Sequence, residues 1–190
     1  MSPLTLVDHD LLDGHAADVA PRLLGLLLAT TVGKGTTVAR ITEVEAYEED
    51  DPASHTFSGR TPRNEAMFHS AGHLYVYLSY GIHRCANVVV GPADRGAAVL
   101  IRAVDVATGI DLARERRGGR DDLELSDGPG KVCQALGIHL HHGGLDLLAP
   151  SSPVRLLDDG TPPPSDPIVG PRVGISKAVD LPWRFRTPSA

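Results

Sequence analysis

Residues 73–90 read HLYVYLSYGIHRCANVVV and hold three of the chain's four tyrosines, Tyr75, Tyr77 and Tyr80. Two runs of strand-forming residues meet at Tyr80-Gly81, where glycine supplies the positive φ that two-residue turns favour, so the stretch predicts a β-hairpin. Alternation places Tyr75 and Tyr77 on the face opposite Val76 and Leu78. Tyrosine is a costly choice at the first turn position and at an exposed tip, so Tyr80 points to contact with something outside the chain.

Strands extend outward from this hairpin. Residues 30–47, TTVGKGTTVARITEVEAY, predict a hairpin around Gly33-Lys34-Gly35 followed by a long β-branched strand. Residues 96–106, GAAVLIRAVDV, predict another strand. Residues 18–29, DVAPRLLGLLLA, read as a short helix with Pro21 near its first turn, where a missing N–H costs little. Residues 126–138, SDGPGKVCQALGI, read as a helix capped by Ser126 or Asp127, with Pro129 in its first turn and Gly137 just past its end. Strands fill the middle without regular βαβ alternation. The expected fold is α+β: one compact domain, 1–190, built on a largely antiparallel curved sheet flanked by helices. The Pro-rich piece 158–167, DDGTPPPSDP, reads as a surface loop.

Composition narrows the function classes. A chain of 190 residues with 42% hydrophobic and 22% charged residues is globular in composition. Its longest apolar run, residues 23–29, is far below the roughly 18–20 residues of a membrane span. The first ten residues lack the basic end and apolar segment of a secretory signal, so a cytoplasmic protein is expected. Cys85 and Cys133 form no CxxC and are expected to be reduced core residues. The net charge of −6 weighs against a phosphate partner, yet the basic residues are mostly arginines, gathered at 60 and 63, at 114–120, and at 184 and 186. The 114–120 run is interleaved with acidic residues and reads equally well as solvated surface. His139, His141 and His142 have no HExxH spacing or cysteine partner and read as a polar loop.

On the strand 41–47, alternation puts Ile41, Glu43, Glu45 and Tyr47 on one face. Facing a cleft, a partly desolvated glutamate there would suit acid or base work; solvated edge glutamates are the alternative. In VLIRAV, Arg102 lies between Leu100 and Val104 on an otherwise apolar face and needs a partner, for which a glutamate of the first strand is well placed. Tyr75 and Tyr77 can stack on a flat ligand or pack a core, and a rigid hairpin can present Tyr80 as a wedge between bases.

Taken together, EVEAY (43–47), SH before GRTPRN (54–55, 59–64), MF (67–68), LYVYLSYGI (74–82), CAN (85–87), VLIRA (99–103) and GPGKVCQALGI (128–138) resemble the alkyladenine (3-methyladenine) DNA glycosylase family. PRVGIS (171–176) and PWRF (182–185) give a weaker echo. The resemblance implies a compact mixed α/β enzyme that excises damaged purines, with the hairpin protruding toward DNA. It implies that Glu45 is the general base activating water and that Arg102 helps hold that water. By the same resemblance Tyr47, His55 and Tyr77 wall the pocket for a flipped base, and Asn87 clashes with the 2-amino group of normal guanine. Tyr80 fills the gap left by the extruded nucleotide, with Ile82 beside it on the intercalating tip. Arg63 and Lys131 are candidates for phosphate contacts, Lys131 because it opens a helix.

The chemistry needs no metal and no cofactor. Alkylation at N3 or N7 makes a purine cationic and a good leaving group, tyrosine faces attract cations, and water attacking C1′ needs a carboxylate nearby. No lysine occurs between Lys34 and Lys131 to form a Schiff base, so a monofunctional enzyme leaving an abasic site is expected. The expected partner is double-stranded DNA with damaged bases, met by a monomer in the cytoplasm, on the nucleoid when acting, with no membrane involved. Two departures from relatives bear on lesion preference: Ile82-His83 where a methionine and an aromatic are common, and residues 56–58, TFS, without a basic residue. A non-catalytic nucleic-acid-binding domain of the same fold is the competing reading. A carbohydrate hydrolase using Glu43 and Glu45 is a third, but neighbours roughly 6.5–7 Å apart on one strand face cannot flank a bond from opposite sides.

Overall fold

The computed structural model describes residues 4–188. In chain order the elements are β1 (Thr5–Leu6), α1 (Ala16–Leu23), β2 (Leu27–Thr30), β3 (Thr37–Tyr47), β4 (Leu74–Ser79), β5 (His83–Val89), β6 (Ala98–Thr108), α2 (Ile110–Arg116), α3 (Pro129–Leu136), β7 (Val154–Asp158), β8 (Ile168–Gly170) and β9 (Arg184–Arg186). All nine strands among the described residues join one antiparallel sheet. Its main order is β1-β7-β2-β3-β6-β5-β4, and β9 pairs with both β3 and β8. β6 runs along one edge of β3 while β2 and then β9 occupy the other.

The two faces of the sheet have different fates. One carries Ala39, Ile41, Val44 and Ala46 of β3, Leu74 and Val76 of β4, Ala86 and Val88 of β5, and Val99 and Ile101 of β6. These bury against Ala16, Val19, Ala20 and Leu23 of α1 and Val132, Cys133 and Leu136 of α3. The opposite face carries the glutamates, tyrosines and Arg102, and it lies under the loop 48–72 and the segment 172–175. Both cysteines are free and buried, as expected.

Four local expectations need correction. Strict alternation fails in β3: register shifts flank Glu43, so Ile41 joins Ala39, Val44 and Ala46 in the core and does not share a face with Glu43, Glu45 and Tyr47. β6 shifts in the same place, which parts Val104 from Arg102 and sends it to the core. Such bulges add twist and curl a sheet. α1 begins at Ala16, so Pro21 lies in its second half, and residues 27–30 form β2 instead of continuing the helix. His15 caps α1, its Nδ1 accepting from Ala17 N at 3.2 Å, and Glu48 accepts from Ala16 N. At α3 the cap is Gly128, in extended geometry and with no side-chain bond; Ser126 instead donates to Val104 O at 2.6 Å. Gly137 ends that helix at φ +70°, as expected.

The fourth correction concerns the tip. Ile82 N donates to Ser79 O at 3.1 Å, closing a turn whose central residues Tyr80 and Gly81 have φ of 50° and 72°, the type I′ pattern. The strands, however, pair Ser79 with His83, so Ile82 is left as an extra loop residue. Tyr80 and Ile82 are 86% and 70% exposed. The loop 159–167 is largely exposed, in line with expectation.

Candidate active site

The polar face of the sheet opens into a cavity of about 560 Å³. Its walls include Tyr47, His55, Tyr75, Tyr77, Asn87, Leu100 and Arg102. It runs outward past Arg63 to Tyr80 and His83 of the hairpin and to Lys131 on α3. Of the residues singled out in the sequence, Tyr47, His55, Arg63, Tyr77, Tyr80, Asn87, Arg102 and Lys131 line this one space. Ile82 does not line it and stands exposed at the hairpin tip.

Glu45 sits behind that wall, with its side chain 0% exposed. Oε1 accepts from Val173 N at 2.7 Å, and Oε2 accepts from the Tyr47 hydroxyl at 2.9 Å and lies 3.3 Å from an Arg102 nitrogen. A carboxylate offers about four lone-pair positions, so three donors leave room for one more. Glu45 meets the cavity through Tyr47, Arg102 and Val173, the three partners that line it. Arg102 also donates through Nε to Glu43 Oε1 at 3.0 Å, and Glu43 is shared with Arg184 at 3.4 Å. The expected pairing of Arg102 with a glutamate of this strand is therefore present twice over, and a partly buried guanidinium is compensated.

The aromatic wall is held by its own contacts. Tyr75 and Tyr77 stack with ring centroids 5.6 Å apart, and the His55 ring meets Tyr77 edge-on at 4.4 Å. His55 Nδ1 pairs with the Tyr75 hydroxyl at 3.0 Å; its Nε2 has no hydrogen-bond partner among the described residues. Tyr75 thus serves as core, packed with Met67, Phe68, Val89 and Ala98, and as cavity wall. Asn87 lies buried opposite Tyr75 on β5 and donates to Tyr75 O at 3.1 Å.

Burial sets the protonation of these groups. It raises the Tyr75 phenol to about 12, and it raises Tyr77 further with the Cys85 thiol beside it. The Tyr47 phenol is held far above its ordinary value by burial and then by the charge of Glu45. All three remain O–H donors at neutral pH. Burial, and then the Arg63 guanidinium, lower His55, which keeps its imidazole neutral.

Several positioning residues escaped the sequence reading. Asn64, buried in GRTPRN, donates to His55 O and Gly59 O at 2.9 and 3.0 Å and accepts from Thr61 N at 2.6 Å, fixing the loop that carries His55. Thr56 donates to Gly96 O at 2.8 Å; a Cβ on Gly96 would stand 2.5 Å from Thr56 Cγ2, so only glycine lets β6 and that loop approach. The side chain of Arg172 is buried against Asp51 and lies over the Tyr47 ring at 4.5 Å. In the arginine clusters, Arg60 is paired with Glu65 and Asp94, and Arg114 with Asp111 and Asp122, which favours solvated surface for both.

A shielded carboxylate thus lies behind an aromatic cavity, beside an exposed tyrosine hairpin, and the family of the chain makes it a DNA glycosylase, a hydrolase of N-glycosyl bonds. The chain belongs to the methylpurine-DNA glycosylase (MPG) family, whose model matches residues 10–190. It is 50% identical over 174 residues to a protein of Nitrosospira multiformis named "Putative 3-methyladenine DNA glycosylase", covering 90% of this chain and 84% of the relative. Proteins of the same name from Agrobacterium fabrum and Methanoculleus marisnigri are 51% and 48% identical over 170 residues each. Those matches cover 90% and 88% of this chain and 82% and 87% of the relatives.

Proposed function

We propose that this glycosylase is monofunctional and removes alkylated or deaminated purines, 3-methyladenine foremost, from duplex DNA by flipping the damaged nucleotide into the cavity. The observation that carries the reading is Glu45: a buried carboxylate held by Val173 N–H, the Tyr47 hydroxyl and Arg102, with acceptor capacity left over. Water bonded to that remaining position attacks C1′ as the base leaves, and Glu45 takes its proton. Arg102 orients the water and is itself fixed by Glu43. An alkylated purine leaves as a neutral base, so the enzyme's task is to hold the sugar against the water and to stack the cation on electron-rich rings.

Tyr47, His55 and Tyr77 form the stacking and hydrogen-bonding walls. Neutral His55 can offer its unpartnered Nε2 to the base edge, and the Asn87 side chain excludes the 2-amino group of guanine. Tyr80 enters the base stack with Ile82 beside it; their exposure and the rigid turn beneath them support a wedge presented toward DNA. Arg63 and Lys131 contact phosphates. Lys131 lines the cavity, but its amine is tied to Asp127 at 2.7 Å, which points it to a phosphate and not to a Schiff base. The enzyme acts as a monomer in the cytoplasm.

A panel of duplexes, each with one lesion, tests the reading. Wild type should convert 3-methyladenine, and with its own ranking hypoxanthine and ethenoadenine, to abasic sites that break only after alkali. Breaks before alkali would contradict the monofunctional assignment, and no excision from any lesion would favour the non-catalytic binding domain.

A further inference from the structure

Arg172 and Asp51 form an ion pair with both side chains 0% exposed. One Arg172 nitrogen binds Asp51 Oδ2 and also donates to Ala46 O at 2.8 Å; the other donates to Asp51 Oδ1 at 3.0 Å. The guanidinium lies 4.5 Å from the Tyr47 ring centre and 5.2 Å from that of Trp183. Asp51 in turn accepts from Ala53 N at 2.9 Å, at the start of the turn that leads to His55. The residue after Arg172 is Val173, whose N–H binds Glu45. One buried pair therefore joins three separate pieces of the site: the end of β3 with Tyr47, the loop bearing His55, and the segment 173–175 that forms a cavity wall.

We infer that the Asp51–Arg172 pair is a positioning device for excision, holding the Val173 N–H on Glu45 and the Tyr47 ring in its stacking plane. A buried ion pair is weak evidence for stability, because desolvation offsets the attraction, and specificity of geometry is the better reason to keep one. Here both arms of the guanidinium fork grip Asp51 and one of them also holds Ala46 O, a planar geometry that a lysine ammonium cannot reproduce. Neither Asp51 nor Arg172 lines the cavity, so the pair acts on the site through the residues it holds, Tyr47 and, by Val173, Glu45.

The inference rests on the glycosylase reading, and its test is referred to wild-type excision, so the two fail differently. Arg172→Lys and Asp51→Asn are compared with wild type on a 3-methyladenine duplex under single turnover, with enzyme in excess and its active fraction titrated on a duplex carrying an uncleavable abasic analogue. The expected result is an excision rate constant per active molecule at least tenfold lower in both variants, with affinity for the abasic duplex within about twofold of wild type. A pair that only stabilises the fold would lower the active fraction or the Tm and leave that rate constant unchanged, which would overturn the proposal. Val173→Pro, which removes the N–H that the pair is inferred to hold on Glu45, should lower the rate constant likewise; a wild-type rate there would also contradict it. Should wild type itself excise nothing, the glycosylase reading falls and not the positioning role alone.

Discussion

Tyr77 and His55 bear different loads within one wall. Base–aromatic stacking is worth roughly 1–3 kcal/mol, so Tyr77→Ala should slow excision about ten- to hundredfold while Tyr80-dependent opening of the duplex persists; equal rates for variant and wild type in single turnover would remove Tyr77 from the pocket. His55 titrates below its ordinary value because its ring is partly desolvated against the cavity wall and Arg63 faces it. Between that lowered value and the ordinary ~6.5, the unfolded chain binds more protons than the folded one, so stability falls as pH drops through this window. His139 and His142 are lowered too, by burial first, and act in the same direction. The Tm loss from pH 7 to pH 5.5 should therefore be smaller in His55→Gln than in wild type. At this scale what was legible is convergence: Tyr47, Tyr77, Asn87 and Arg102, singled out by strand position and resemblance, line one cavity, with Glu45 behind it. Asp51 and Arg172 were not, since 121 residues separate them and neither stands in an alternating strand.

Element geometry explains where alternation misled. Reading period two through residues 41–47 puts Ile41 beside Glu43, but an extra residue at the β3–β6 bulges resets the phase, and no local signal in RITEVE or LIRAVD announces it. The hairpin was legible because Tyr80-Gly81 sits between two strand-forming runs; the extra Ile82 was not, because the same turn closes two- and three-residue loops. Tyr80 holds φ 50°, a conformation disfavoured for a non-glycine residue by roughly 1–2 kcal/mol. Asparagine tolerates it better, so Tyr80→Asn should raise stability by about 0.5 kcal/mol while impairing base flipping. Chemical denaturation and ethenoadenine fluorescence in a duplex check the two halves. A variant that loses stability, or that flips the base as well as wild type, would contradict the strained-wedge account. His83 packs at the base of the hairpin against α3, where a Cβ on Gly130 would stand 3.0 Å from its own Cβ, so the tip is braced by that helix.

For the whole molecule, a net charge of −6 has to be reconciled with a DNA substrate. Few phosphate contacts are expected, and each cation neutralising one contributes about one unit to the slope of log K against log salt. Lys131→Ala should weaken binding to damaged and undamaged duplexes alike and reduce that slope by about one; Asp127→Asn, which frees the ammonium, should strengthen both. An unchanged slope for Lys131→Ala would remove it from the interface. The division of the sheet into a helix-packed face and a cavity face is what lets a chain of this size enclose a shielded carboxylate, and that division rests on strand alternation outside the bulges. The account turns on Glu45, and the most direct measurement is single-turnover release of 3-methyladenine from duplex DNA by wild type and by Glu45→Gln, with binding to the same duplex measured in parallel. Loss of general base catalysis predicts release slower by roughly 10²–10⁴-fold or more with binding retained; release at the wild-type rate by Glu45→Gln would contradict the mechanism.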